Sequence, residues 1–193
     1  MGAIGNILFS GVGGQGILLA SEITAYALLS AGYDAKKSEV HGMAQRGGSV
    51  TAQLRYGEKV YSPLIEPGKA DILVSFEMME AARYLPYLHK ESKVIVNTQQ
   101  IKPPSVAMGQ VAYPLDVLDA ITSQGIQVVT VAAFDIARDV GEVKAANVVM
   151  VGAMSNFLPM AAEVYEEIIN TRVPERFREV NIKAFRAGRQ TSS

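Results

Sequence analysis

Gly11-Val12-Gly13-Gly14-Gln15-Gly16 is the stretch from which the fold of this chain is read. The short apolar run before it, Ile4 to Ser10, has the composition of a buried strand. The long proline-free run after it, Gly14 to Ala31 with Gly32 as a stop, has that of a helix. Strand, glycine loop and helix in that order is the context in which a G-x-G-x-x-G pattern carries meaning. Glycine allows the tight turn and lets a bound group approach the backbone, while free N–H groups at the helix start favour an anion. A phosphate, a carboxylate or a partner's acidic group suits that position. A tight turn that binds nothing is the plain alternative.

Outward from this loop, Asp34 to Val40 reads as a second strand joined to the first by one helical crossover. Such a βαβ unit has parallel strands and a right-handed connection. In a dinucleotide-binding fold an acidic residue near the end of that strand holds a ribose hydroxyl. Glu39, 23 residues past Gly16, fits loosely. The next segment breaks the pattern. From Ser49 to Tyr56 apolar and polar residues alternate as in a half-buried strand; Tyr56-Gly57-Glu58-Lys59 reads as a turn and Val60-Tyr61-Ser62 as a short returning strand. An antiparallel hairpin therefore replaces the next βαβ step.

Further on, Ala70 to Ser75 and Lys93 to Asn97 are apolar runs of the parallel-sheet kind. A helix from Phe76 to about Leu85, capped by Ser75, lies between them. Val111 to Tyr113 is a candidate strand, Leu115 to Gln124 a helix and Ile126 to Val131 the last strand. Helices are expected at 134–140, 144–157, 161–170 and 174–188. The one at 144–157 is apolar nearly all round, which suits a core or a partner's cover. The expected fold is α/β: a single domain over residues 1–193, with a mostly parallel sheet flanked by helices and an antiparallel hairpin inserted after the second strand.

The second glycine-rich stretch, Glu39 to Gly48, comes after the second strand, so it belongs at the carboxyl edge of the sheet beside Gly11–Gly16. Glu39, Gln45, Arg46, Gly47 and Gly48 join Gly11, Gly13, Gly14, Gln15 and Gly16 as candidate cofactor-binding residues. Arg46 can fork onto a carboxylate or phosphate, and His41 can donate or accept near neutral pH. These two are the candidate catalytic residues, against a bland reading in which Arg46 only pairs with Glu39. No acid–base pair, nucleophile–base trio or metal cluster can be read off, so catalysis by this chain alone is not expected.

Eighteen basic against nineteen acidic residues leave no field to draw nucleic acid or an anionic membrane. No apolar run reaches the roughly 18–20 residues of a bilayer span. The first residues lack a basic segment leading into an apolar core, so a cytoplasmic protein is expected. There is no cysteine, so no thiolate-held zinc or iron–sulfur cluster can be built here. Two distant histidines, His41 and His89, make no metal site either.

The first loop, the run Ser38-Glu39-Val40-His41-Gly42-Met43-Ala44-Gln45-Arg46-Gly47-Gly48, Ala70-Asp71-Ile72 before Phe76-Glu77, and Asn147 before Gly152-Ala153 together resemble one family. It is that of the gamma-type subunits of 2-oxoacid:ferredoxin oxidoreductases. The histidine-bearing second loop is most similar to the small subunit of the indolepyruvate enzymes. The resemblance implies a Rossmann-like subunit of a complex that converts an aryl pyruvate to an aryl-acetyl-CoA and reduces ferredoxin. It also implies that thiamine diphosphate with Mg2+ and [4Fe-4S] clusters sit in a large subunit, and that this chain helps to bind coenzyme A or shape the substrate channel. Subunits for pyruvate, 2-oxoglutarate or branched-chain 2-oxo acids are the near alternatives. A free-standing NAD(P)- or flavin-binding protein, using Gly11–Gly16 with Glu39, and a non-catalytic regulatory module are the distant ones.

Overall fold

The computed structural model describes residues 4–41, 48–110, 112–114 and 116–191. In chain order the elements are β1 (Gly5–Val12), α1 (Ile17–Ser30), β2 (Asp34–His41), β3 (Ser49–Gly57), β4 (Ala70–Ser75), α2 (Met78–Arg83) and β5 (Leu88–Asn97). They continue with α3 (Pro104–Ala107), α4 (Val117–Thr122), β6 (Gln127–Val131), α5 (Ala133–Asp139), α6 (Ala146–Ser155), α7 (Ala162–Arg172) and α8 (Glu175–Gln190).

The strands form one sheet in the order β2-β3-β1-β4-β5-β6. β1, β4, β5 and β6 pair in parallel, whereas β3 is antiparallel to both of its neighbours, β1 and β2. Side chains alternate across the strands as the pleat requires. Ile7, Phe9, Ile72, Val74 and Ile95 enter one core with α1 and α5 to α8. Leu8, Leu73, Val94 and Val96 enter the other, with α2 and α4. α1 buries Ile17, Ala20, Ser21, Ile23, Thr24, Ala27 and Leu28, at the three- and four-residue spacing of a helical face.

Most of the expected elements are present, with the following corrections. First, β1 and β2 run in the same direction but are not neighbours, because β3 lies between them. Second, the hairpin is β2–β3; residues 60–62 form no strand. Side chains, not a ladder, hold this segment and the residues after it. Val60 N donates to Asp34 Oδ2 at 2.9 Å and Ile65 N to Gln53 Oε1 at 2.6 Å, while Arg55 Nη1 donates to the Ser62 and Leu64 carbonyls. Third, Ser75 does not cap α2. The Glu77 carboxylate does, accepting from Met79 N and Glu80 N, and Ser75 Oγ donates to the Glu77 carbonyl. Ala112 and Tyr113 are not in a strand, and Val111 lies outside the described residues.

The apolar helix α6 is buried from Asn147 to Ser155, and the chain covers it with its own α8. The two helices touch through glycine. A Cβ on Gly152 would lie 2.1 Å from the Phe185 carbonyl oxygen, and one on Gly188 would lie 2.0 Å from that of Val149. No described helix is long and apolar enough to cross a membrane.

Candidate functional site

The carboxyl ends of β1, β4, β5 and β6 open on one edge of the sheet. From β1 the chain crosses through α1 toward β2; from β4 it crosses through α2 toward β5 in the opposite direction. The crevice between β1 and β4 is thus the switch point at which open α/β sheets take ligands.

The first glycine loop meets Gly48, the last residue of the second glycine-rich stretch, there. Gly13 N donates to the Gly48 carbonyl at 2.9 Å, which ties the β1–α1 loop to the start of β3. Ser49 continues the link by donating to Glu80 Oε2 at 2.6 Å. Gly16 is the N-cap of α1 at φ 76°, with no side-chain cap and no acidic residue in the first turn. Among the described residues the Gly14 and Gly16 amides make no hydrogen bond. These amides and the first turn of α1 constitute an anion-receptive terminus.

Gln15 is built into the scaffold. Its Oε1 accepts from Val12 N at 2.8 Å, and its Nε2 donates to the Phe76 carbonyl at 2.7 Å and to Gln99 Oε1 at 3.0 Å. One side chain thereby joins the segments that leave β1, β4 and β5. Asn147, at the start of α6, donates from Nδ2 to the Gly16 carbonyl at 3.3 Å. Gly11 lies buried within β1. Glu39 sits on β2, beyond β3 from the glycine loop, with a carboxylate oxygen 2.5 Å from Lys37 Nζ. A ribose-holding acid belongs on the strand next to β1, so this placement disfavours the dinucleotide layout. Gln45, Arg46 and Gly47 lie outside the described residues, as does the side chain of His41.

A cavity of about 590 Å³ lies against the loop. Its walls are Leu19, Phe76, Ile101 and the exposed Phe134, with Gln99, Asn147 and the Lys144 ammonium among its polar groups. The arrangement suits an anionic group attached to an apolar body. Gln99 and Ile101 form part of one wall, and the completely buried Glu77 braces the chain there. Besides capping α2, the Glu77 carboxylate accepts from Ile101 N at 3.0 Å and from the Tyr113 hydroxyl. Burial first, and the Glu77 carboxylate second, push the Tyr113 phenol above its ordinary range, so it stays a donor.

No group of three His, Cys, Asp or Glu side chains that could hold a metal occurs among the described residues. Among the described residues the site presents no acid–base pair. Sequence reasoning missed Glu77, Gln99, Asn147 and Lys144 as residues that build this site. Glu77 and Asn147 stood in the family-like motifs, but their partners, 24 to 131 residues away, had no local signature.

The pyruvate ferredoxin/flavodoxin oxidoreductase family matches residues 6–191. The indolepyruvate oxidoreductase subunit IorB of Thermococcus kodakarensis is 42% identical over 188 residues, covering 95% of this chain and 93% of that protein. The 2-oxoglutarate synthase subunit KorC of Methanothermobacter marburgensis is 28% identical over 188 residues, covering 95% and 94%. Among solved structures, the gamma subunit of a keto/oxoacid ferredoxin oxidoreductase from Geobacter sulfurreducens superposes with a TM-score of 0.73 at 27% identity, covering 97% of this chain and 98% of that one.

Proposed function

The chain belongs to the pyruvate ferredoxin/flavodoxin oxidoreductase family, and from that premise we propose that it is the small subunit of an indolepyruvate-type 2-oxoacid:ferredoxin oxidoreductase. The complex decarboxylates an aryl pyruvate oxidatively. Carbon dioxide leaves, the acyl group joins coenzyme A as a thioester, and two electrons pass to ferredoxin. Identity of 42% to an indolepyruvate subunit against 28% to a 2-oxoglutarate subunit favours the aryl substrate over other 2-oxo acids. The whole of residues 1–193 acts as one domain of a cytoplasmic heteromer.

The residues present are consistent with a division of labour between subunits. Without cysteine, the chain has no thiolate for an iron–sulfur cluster, and its described residues offer no carboxylate cluster for the Mg2+ of thiamine diphosphate. Those groups belong to the large subunit, where thiamine diphosphate supplies the carbanion chemistry. This chain contributes the carboxyl-edge cavity. The Gly14 and Gly16 amides, Lys144 at the rim and Arg46 of the second loop would receive a phosphate of coenzyme A or the large subunit's edge beside its cofactor.

The observation that carries this assignment is the Gly13–Gly48 hydrogen bond, which fixes the start of β3, where the second loop ends, beside the first. Arg46→Ala in the reconstituted complex is expected to raise the apparent KM for coenzyme A or the 2-oxo acid by about tenfold, the loss of one charge-assisted contact. Unchanged kinetics would remove Arg46 from the site. Titration with NADH is expected to give no saturable binding, since β3 separates Glu39 from the glycine loop.

A further inference from the structure

A second cavity, of about 480 Å³, opens at the opposite, amino-terminal edge of the sheet. The starts of β1, β4 and β5 bound it, together with the chain beyond α6. One strand length, roughly 20 Å, separates it from the glycine loops.

Its lining carries both acidic and basic side chains. On one side Asp71 Oδ2 accepts from Asn6 N at 2.7 Å and from Asn6 Nδ2 at 3.0 Å, and His89 Nε2 lies 3.4 Å from Asp71 Oδ1. On another, Lys93 Nζ stands 5.6 Å from the centroid of the Phe157 ring and makes no ion pair among the described residues. Tyr33 and Tyr56 meet edge to face with centroids 5.5 Å apart. Burial first, and Asp71 second, push the Tyr56 phenol up to about 12, so its hydroxyl remains a proton donor through the neutral range.

The charge balance selects the ligand class. The carboxylates of Asp71 and Glu91 and the Lys93 ammonium line the same cavity, so a ligand of a single sign, such as a polyphosphate or a bare carboxylate, is repelled by part of the lining and leaves part of it unpaired. A wholly apolar molecule would strip water from Asp71 and Lys93 and return nothing. A zwitterion satisfies both, and the three rings offer a flat side chain its apolar surface. We propose that this cavity binds a free α-amino acid with an aromatic side chain, its ammonium on Asp71, its carboxylate on Lys93 and its ring among Tyr33, Tyr56 and Phe157. The site uses no residue of the carboxyl edge, so it stands or falls apart from the assignment above.

Calorimetric titration of the full chain with L-phenylalanine tests this, beside phenylpyruvate, which lacks the ammonium, and phenylethylamine, which lacks the carboxylate. The expected result is saturable binding of L-phenylalanine at one site per chain, with each analogue weaker by about tenfold or more. Asp71→Asn and Lys93→Met are each expected to weaken L-phenylalanine by a similar factor. Because Lys93 has no ion-pair partner among the described residues, K93M keeps the test decisive even if asparagine at 71 weakens the fold. Absence of saturable heat, equal binding of all three compounds, or full retention of binding in K93M would overturn the proposal.

Discussion

At Gly16 two demands coincide. The backbone sits at φ 76°, where side chains are strained, and a Cβ would lie 2.6 Å from Asn147 Nδ2. Gly16→Ala is therefore expected to cost about 2–4 kcal/mol, left-handed strain plus overpacking, measured by urea unfolding. Tyr165 presents the reverse case. It is fully buried, stacked on Phe185 at 5.3 Å, and its hydroxyl has no hydrogen-bond partner. Tyr165→Phe removes an unsatisfied polar atom without changing the ring. It is expected to stabilise by about 1 kcal/mol, a rise of roughly 2–4 °C in Tm by calorimetry. Neither effect was legible in the sequence, because the neighbours that decide them, Asn147 and Phe185, come from distant segments.

Among the elements, those buried on both faces were the easiest to read. β4 carries Ala70, Leu73 and Val74 into both cores, and its bounds agree with its apolar run. The hairpin was misread for a physical reason. Residues 60–62 have strand composition, but the carboxylate of Asp34 and the amide of Gln53 occupy the N–H groups around them, and that competition is invisible to a local pattern. Ile101 and Tyr113 depend in the same way on Glu77, whose distant partners no local pattern reveals. In Glu77→Gln one of the two acceptor oxygens becomes a donor, so two of the amide and hydroxyl donors now facing the carboxylate lose their partner. The variant is expected to lose about 2–4 kcal/mol and to show faster hydrogen exchange in residues 98–110. Exchange as slow as in the parent chain would show that Glu77 does not hold this wall of the cavity.

For the molecule as a whole, the frame that places the site was legible. Five strands run one way, their carboxyl ends share an edge, and the first glycine loop lies there, bonded to Gly48. What the sequence did not show was how the chain braces that edge from within, through Gln15, Glu77 and Asn147. The same burial sets the response to alkali. The folded chain holds the Tyr56 proton up to about 12, against about 10 for an unfolded tyrosine. Burial shifts Tyr113 and Tyr165 in the same direction. The stability these phenols contribute is complete below about pH 10 and is lost as pH rises from there toward 12. Urea unfolding between about pH 8 and pH 11, with phenolate absorbance followed in parallel, should show a plateau and then a fall; a flat profile would contradict the burial of these rings.

The central claim is that this chain shapes and receives while the reactive groups belong to a larger partner. Its most direct test is to assay ferredoxin reduction by an aryl pyruvate and coenzyme A with the chain alone, with the purified large subunit alone, and with both. Full turnover only in the mixture is the predicted result. Turnover by the chain alone, or by the large subunit at full rate without it, would contradict the account.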